Sequence, residues 1–229
     1  MSRPDTKALI LDAAEQLFAE RSFAAVSMRD ITSAAGVNLA AVNYHFGSKE
    51  ELLAALFIAR VTPLNRERAG LLREAEARGN GIAALEDILH ALLSPPLRWW
   101  LGPDAGRSAS ARFLMRAHAE TSPGIRQVMD KDVSHLQRFV LALGRALPAL
   151  SHEEICWRLH FTLGTMHYTI SERQRLDSLS TGACNLTDTE AVIGEIVAFA
   201  AAGFRANGAS RSAASGSHEP RKTVVAARR

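Results

Sequence analysis

The chain is poor in cysteine, in strand-like runs and in long apolar stretches. Only Cys156 and Cys184 occur in 229 residues, with no metal-ligand spacing between them, so a reduced, cytoplasmic setting is the simplest expectation. No apolar run reaches the roughly 18–20 residues that span a bilayer, which argues against a membrane protein. The N-terminus, MSRPDTKALILDAAEQ, has neither an uninterrupted apolar core nor a small-residue cleavage site, so it does not read as a signal peptide. G-x-S-x-G, a phosphate loop and H-E-x-x-H are all missing. The eight histidines show no paired metal spacing; His160 and His167, seven apart on one helix, stand about 10.5 Å apart in rise, too far for one metal. These absences argue against an enzyme and imply no cofactor.

Ala, Leu, Arg and Glu dominate, apolar residues make up 47% of the chain, and the length suffices for a sizeable core. The pattern predicts an all-α protein. Its charge is unevenly placed. Residues 207–229 carry five Arg/Lys against one Glu, a net +4, so with +3 overall the preceding 206 residues sum to −1. This small, polar, basic tail is expected to be disordered, either an inert solubilising segment or a weak, salt-sensitive attraction to DNA. Residues 1–50 hold five basic and six acidic groups, so net charge makes no case for nucleic acid. Placement does: Asp12 and Glu15 fall on the first helix, whereas Arg29, Lys49 and helix N-termini can face phosphate.

The most informative stretch is Ser27–Lys49. Ser27 with Asp30 forms a capping box, and Met28, Ile31 and Ala35 recur at helical spacing. Gly36 suits a helix end with positive φ, Val37 plugs the turn, and Asn38 is a strong cap for a second short helix. On that helix Leu39, Ala40, Ala41, Asn43 and Tyr44 look mostly outward, Val42 looks in, and Phe46 closes the small core. Ser48 and Glu51 form a second capping box. Two short helices at a sharp angle, the second exposed and bearing small and polar residues, make a helix-turn-helix. Before it, residues 5–21 form an amphipathic helix with Leu9, Ile10, Ala13, Ala14, Leu17 and Phe18 inward.

The Ala-Ala-Gly-Val, Tyr-His-Phe and Ser-Lys-Glu-Glu-Leu elements, at this register, resemble the DNA-binding motif of TetR-type bacterial transcriptional regulators. The resemblance covers about the first quarter of the chain. It departs from the usual family pattern at Ala40, where Gly is common, and at Asn43, where Tyr is common. It implies a three-helix head over 1–48, a larger helical ligand-binding and dimerisation domain over 49–206, and the tail over 207–229. It also implies a fourth helix that links head to body and whose swing respaces two heads. In the family's geometry Asn38, Leu39, Ala40, Ala41, Asn43 and Tyr44 line the major groove. Asn43 can pair with adenine, Leu39 and Ala40 can pack on thymine methyls, and Arg29 can reach guanine. Ser27, Tyr44, His45 and Lys49 suit phosphate; His45 fits equally a bond to a backbone carbonyl inside the core.

Downstream, the sequence predicts a helix from Ser48 that Pro63 interrupts, a charged helix over 63–78, and a core helix over 82–94 ended by Pro95-Pro96. Arg98 to Gly106 reads as a loop whose Trp99 and Trp100 form a plug or a pocket rim. Helices follow over 108–120, 124–146, about 151–175 and 188–205, with a polar loop over 177–187. The last two long helices carry more apolar surface than one chain needs, and Gly164, Ala198, Ala201, Ala202 and Gly203 permit close approach. That points to a four-helix bundle across a two-fold axis. Dimerisation also serves reading of a palindromic operator, since two half-sites lie about 34–36 Å apart.

Cys156–Gly164 and Phe199–Arg205 resemble the subset of the family that answers to fatty acids or acyl thioesters. That implies a small apolar effector in a pocket lined by Phe57, Trp99, Trp100, Phe113, Met115, Trp157, Phe161 and Met166. Arg112, Arg116, His118, His160 or His167 would meet its polar end. The same side chains would equally fill a helical core. The expected function is therefore a DNA-binding regulator, a repressor as the simpler case, released by such an effector. The alternative is a DNA-binding regulator controlled by a protein partner.

Overall fold

The computed structural model describes residues 5–102, 109–120, 122–131 and 133–206, with the side chains of 118 and 129–131 excepted. Among these, the chain forms eleven helices and no strand. The head comprises α1 (Thr6–Glu20), α2 (Met28–Ala35) and α3 (Leu39–Phe46). The body comprises α4 (Lys49–Arg78), α5 (Leu85–Leu101), α6 (Ala109–Ala119), α7 (Pro123–Lys131), α8 (Ser134–Ala146), α9 (His152–Ser171), α10 (Arg173–Ser180) and α11 (Thr189–Arg205). The tail, the segment 103–108 and the side chain of His118 lie outside the described residues.

Two apolar cores divide the molecule. The head core gathers Ile10, Phe18, Val26, Ile31, Val42 and Phe46 with Leu52, Leu53 and Leu56 from the start of α4. It also takes in Phe113, Leu114 and Ala117 of α6 and Ile125 of α7. Phe18, Phe23 and Phe113 pack ring against ring, with centroids 5.3 to 6.4 Å apart. The head is thus seated on the body by shared burial, and α1 and α6 are extensive neighbours. The body core runs from Leu72 through the buried face of α5 to Phe139, Leu143, Leu159, Met166, Ile193 and Phe204.

Helix boundaries differ from those the sequence predicts in several places, three of them for a clear physical reason. Pro63 lies inside α4 rather than between two helices. An interior proline costs about 3 kcal/mol, but α4 has a capping box at Ser48–Glu51 and buried residues on both sides of Pro63, from Leu52 to Ala75. Pro63 itself is exposed, so water can take the bond that the Ala59 carbonyl loses. Likewise α5 runs through Pro95 and Pro96 to Leu101, which places Trp99 and Trp100 on a helix instead of a loop. Neither proline has an N–H, so the Leu92 carbonyl lacks both its i+3 and its i+4 donor. The buried Arg68 of α4 replaces them, donating Nε to the Leu92 oxygen at 2.8 Å. Third, 124–146 is broken into α7 and α8. α7 packs on α4 near the head, whereas α8 packs on α5 and α9 in the body, and one straight helix cannot serve both sites. Near the end, α10 occupies part of the expected 177–187 loop.

Candidate nucleic-acid interface

The helix-turn-helix is assembled by local hydrogen bonds. Ser27 Oγ accepts from the Asp30 N–H at 3.1 Å, while an Asp30 carboxylate oxygen accepts from the Ser27 N–H at 2.8 Å. The Ser27 N–H first, and then the Ser27 hydroxyl, which donates to the same carboxylate oxygen at 2.8 Å, hold the Asp30 carboxyl below its ordinary value, with Arg21 adding attraction. Gly36 ends α2 at φ 63°, ψ 31°, a left-handed conformation that a side chain would strain. Asn38 then caps α3, its Oδ1 accepting from the Ala41 N–H at 2.8 Å. Gly47, at φ 69°, turns the chain into the second capping box, where Ser48 Oγ accepts from the Glu51 N–H at 3.2 Å.

The resulting face is sharply divided. Val42 is fully buried and Phe46 nearly so. Leu39, Ala40, Asn43, Tyr44 and His45 are exposed, Tyr44 by 87%, and Ala41 is half-buried. The rings of Tyr44 and His45 meet edge to face at 5.3 Å, so His45 stands outside the core. Arg29 is exposed on the first turn of α2. Ser27 and Asn38 serve first as caps, their side-chain acceptors being engaged. Lys49 also braces the head, because its Nζ donates to the Val26 carbonyl at 2.8 Å and so pins α4 to the α1–α2 connection. Two acids of α1 are paired, since Arg60 of α4 bonds Glu15 at 2.7 Å and Asp12 at 2.8 Å. A short, double-capped helix presenting small, polar and aromatic side chains can enter a groove and meet base edges.

This head matches the family described as "Bacterial regulatory proteins, tetR family" over residues 10–56. Residues 90–203 match "Tetracyclin repressor-like, C-terminal domain". The chain belongs to the TetR family. TetR-family proteins are DNA-binding transcriptional regulators, and repressor activity is named among this chain's relatives. An HTH-type transcriptional repressor of Mycobacterium tuberculosis is 45% identical over 64 residues, 28% of this chain and 34% of the relative. The chain therefore matches about a third of that relative's length. Two solved structures share the whole architecture. A TetR-family regulator from Shewanella covers 82% of this chain and 96% of its own, with TM-score 0.60 and 20% identity. FadR from Bacillus subtilis, solved with stearoyl-CoA, covers 86% and 98%, with TM-score 0.57 and 16% identity. At such identities the likeness speaks for the fold alone.

The TetR body does not bring the expected effector residues to one place. Phe57 and Phe113 belong to the head core, with Trp99 packed against it. Trp100 and Met166 belong to the body core, and the Trp100 ring lies 6.2 Å from that of His167, which is otherwise exposed. Met115 is exposed and Arg112 half-buried. Arg116 works in the seam between head and body. Its Nη1 donates to Glu120 at 3.0 Å, and Glu120 in turn accepts from the Phe23 N–H at 2.7 Å. Trp157, His160 and Phe161 stand exposed on α9. Cavities of 360, 440 and 420 Å³ are lined by other residues.

Both α9 and α11 carry exposed apolar residues instead. Trp157 and Phe161, 55% and 61% exposed, stack at 5.6 Å. With Gly164 and Tyr168 they follow one helical stripe. Phe199, 68% exposed, lies between exposed Ala198, Ala202 and Gly203 on α11. Sequence reasoning missed two supporting arginines. Arg158 donates to the Phe204 and Ala206 carbonyls at 2.8 and 3.0 Å, closing the end of α11. Arg98 pairs with Glu190 at 2.7 Å, which draws the Glu190 carboxyl below its ordinary value and ties α5 to the start of α11.

Proposed function

We propose that this TetR-family regulator binds a palindromic operator as a homodimer, represses transcription from it, and is released by a small effector held in the body. The observation that carries the reading is the exposed α3 face, with Tyr44, Asn43, Ala40 and Leu39 outward on a helix capped at both ends. One eight-residue helix reads too few bases for a specific site. A pair reads two half-sites about 34–36 Å apart. The apolar stripe of Trp157, Phe161 and Phe199 supplies the surface for the pair, because such patches are costly when left in water. In this arrangement Asn43 reads adenine, Leu39 and Ala40 pack on thymine methyls, and Arg29 reaches guanine. Tyr44, His45, Ser27 and Lys49 meet phosphate, positioning the head without reading sequence.

Release works through α4, which begins in the head at Lys49 and ends in the body at Arg78. A fatty acid or acyl thioester is the effector class drawn from the sequence resemblance. Control by a protein partner is the competing mode, and it predicts operator release by a second protein with no small molecule bound. Selection of bound duplexes from a random library tests the core of the reading. The expected product is an inverted repeat with half-site centres about one helical turn apart; enrichment of a single unrepeated site, or of nothing, would overturn it.

A further inference from the structure

Between α4 and α8 lies a cavity of 360 Å³ whose lining includes Arg66, Arg68, Arg73, Arg138 and His135 and, among the described residues, no carboxylate. Thr62, Asn65, Arg66, Ala69 and Arg73 of α4 also line it and follow i, i+3, i+4, i+7, i+11, so one face of the helix is turned to this space. Arg68 is the unusual member. It is only 6% exposed, and among the described residues no carboxylate pairs with it. Its Nε is engaged by the Leu92 carbonyl at 2.8 Å, and its Nη1 meets only the Asn65 side-chain oxygen at 3.4 Å. A guanidinium has five N–H donors, so most of its donors remain available toward the cavity.

The other wall adds to the same sign. α8 begins at Ser134, and Val133 before it provides no side-chain cap. The partial positive charge of a 13-residue helix therefore points at the arginines. Buried Arg68, the exposed Arg66, Arg73 and Arg138 and the start of α8 thus surround one space with no acid among its described lining residues, a setting that favours an anion. Burial alone pulls the Arg68 guanidinium down to about 10, so it is still charged at neutral pH but short of a partner.

We propose that this cavity is an anion-binding site, in which a carboxylate or phosphate group is clamped between α4 and α8 by Arg68, Arg66 and Arg138. Arg68 then takes a double role: Nε holds the proline-interrupted turn of α5, and the Nη groups hold the ligand. An anion here touches α4, the helix continuous with the head, and would draw it toward α8. The coupling to operator release, though not the site itself, rests on the function proposed above. The site also gives the effector a chemistry: it must carry a compact negative group, whatever apolar part it has besides.

The test uses the full chain, with inorganic pyrophosphate and citrate as probes in thermal-shift and calorimetric titrations, against sodium chloride at equal ionic strength. Stabilisation by either probe beyond chloride is expected; pyrophosphate alone would identify a phosphate source, and citrate alone a carboxylate source. Arg138→Ala and Arg66→Ala should each weaken binding by at least about 10-fold, the size of one charge-assisted hydrogen bond. Arg73→Ala replaces either variant if that variant proves unfolded by circular dichroism. No stabilisation beyond chloride by either probe, or affinity unchanged in the Arg66→Ala/Arg138→Ala chain, would overturn the site. Operator binding is titrated separately. Weaker operator binding with the probe present supports the coupling, and unchanged operator binding at saturating probe removes it. A chain that binds pyrophosphate or citrate but no duplex would keep the site and sink the proposed function.

Discussion

Replacing Arg68 with Met in two backgrounds isolates the bond that lets α5 pass through Pro95 and Pro96. Two opposing effects meet in the single variant. Losing the Nε donor leaves the Leu92 carbonyl buried and unsatisfied, at a cost of about 1–3 kcal/mol. Removing the guanidinium relieves its desolvation. Burial lowers its pKa to about 10, a cost of roughly 3 kcal/mol at about 1.4 kcal/mol per pKa unit. The net change of Arg68→Met alone is therefore small and of either sign, and it decides nothing. Pro96→Ala separates the effects, because it returns an N–H to the position four residues after Leu92. In that background the carbonyl keeps a donor when Arg68 is lost. Arg68→Met should then be less destabilising, or more stabilising, than in the natural chain by about 1–3 kcal/mol. Urea denaturation of the four chains at one protomer concentration, followed by far-ultraviolet circular dichroism, measures the coupling. Additivity within about 0.5 kcal/mol would refute the claim that Arg68 stands in for the missing helical donor.

Phe161→Glu should dissociate the proposed dimer. Covering the exposed 61% of that ring removes about 120 Å² from water, worth about 3 kcal/mol per protomer at 25 cal/mol/Å², and sedimentation equilibrium showing an unchanged dimer would contradict the assignment. Arg29→Ala is expected to relax preference at particular base pairs, and Lys49→Ala to weaken all sequences alike. Because Lys49 also holds the Val26 carbonyl, its removal should lower stability by about 1–2 kcal/mol; an unshifted urea midpoint would speak against that bond. Asp30 has its folded-state value below the ordinary 3.8, so its cap contributes fully above that value and is lost as pH falls through the lowered one. Acid titration of the natural chain should show this loss and Asp30→Asn should not, and identical profiles below pH 4 would argue against the cap's share.

What is legible in the sequence is mostly what is local. Ser27–Asp30, Asn38, Gly36 and Ser48–Glu51 announce the helix-turn-helix because a cap and its partner sit within three residues, and the structure places each as expected. Val42 inward and Tyr44 outward follow from a period of 3.6 residues over one short helix. The prolines are opaque for the converse reason. Nothing near Pro96 in sequence reveals that Arg68, 24 residues before Leu92, will satisfy the orphaned carbonyl, so a local rule predicts a helix end that tertiary structure removes. Apolar content on α9 suits a pocket and a dimer surface equally well; composition records how greasy a helix is, not which neighbour covers each side. Trp157 and Phe161 lie outward with Phe199, while Leu159 and Met166 lie inward. The arginines around the α4–α8 cavity are invisible for a similar reason. On α4 alone Arg66, Arg68 and Arg73 look like a solvated charged face, and only the tertiary structure shows that Arg68 is buried and that α8 adds Arg138 to the same space.

The measurement closest to the central claim is hydroxyl-radical footprinting on the selected operator, with the natural chain beside Tyr44→Ala and Asn43→Ala. Two protected patches on one face of the duplex are expected, related by a dyad and one helical turn apart, both fading in the two variants at concentrations that saturate the natural chain. A single patch, or a footprint that neither substitution weakens, would contradict the account in which paired α3 helices read the DNA.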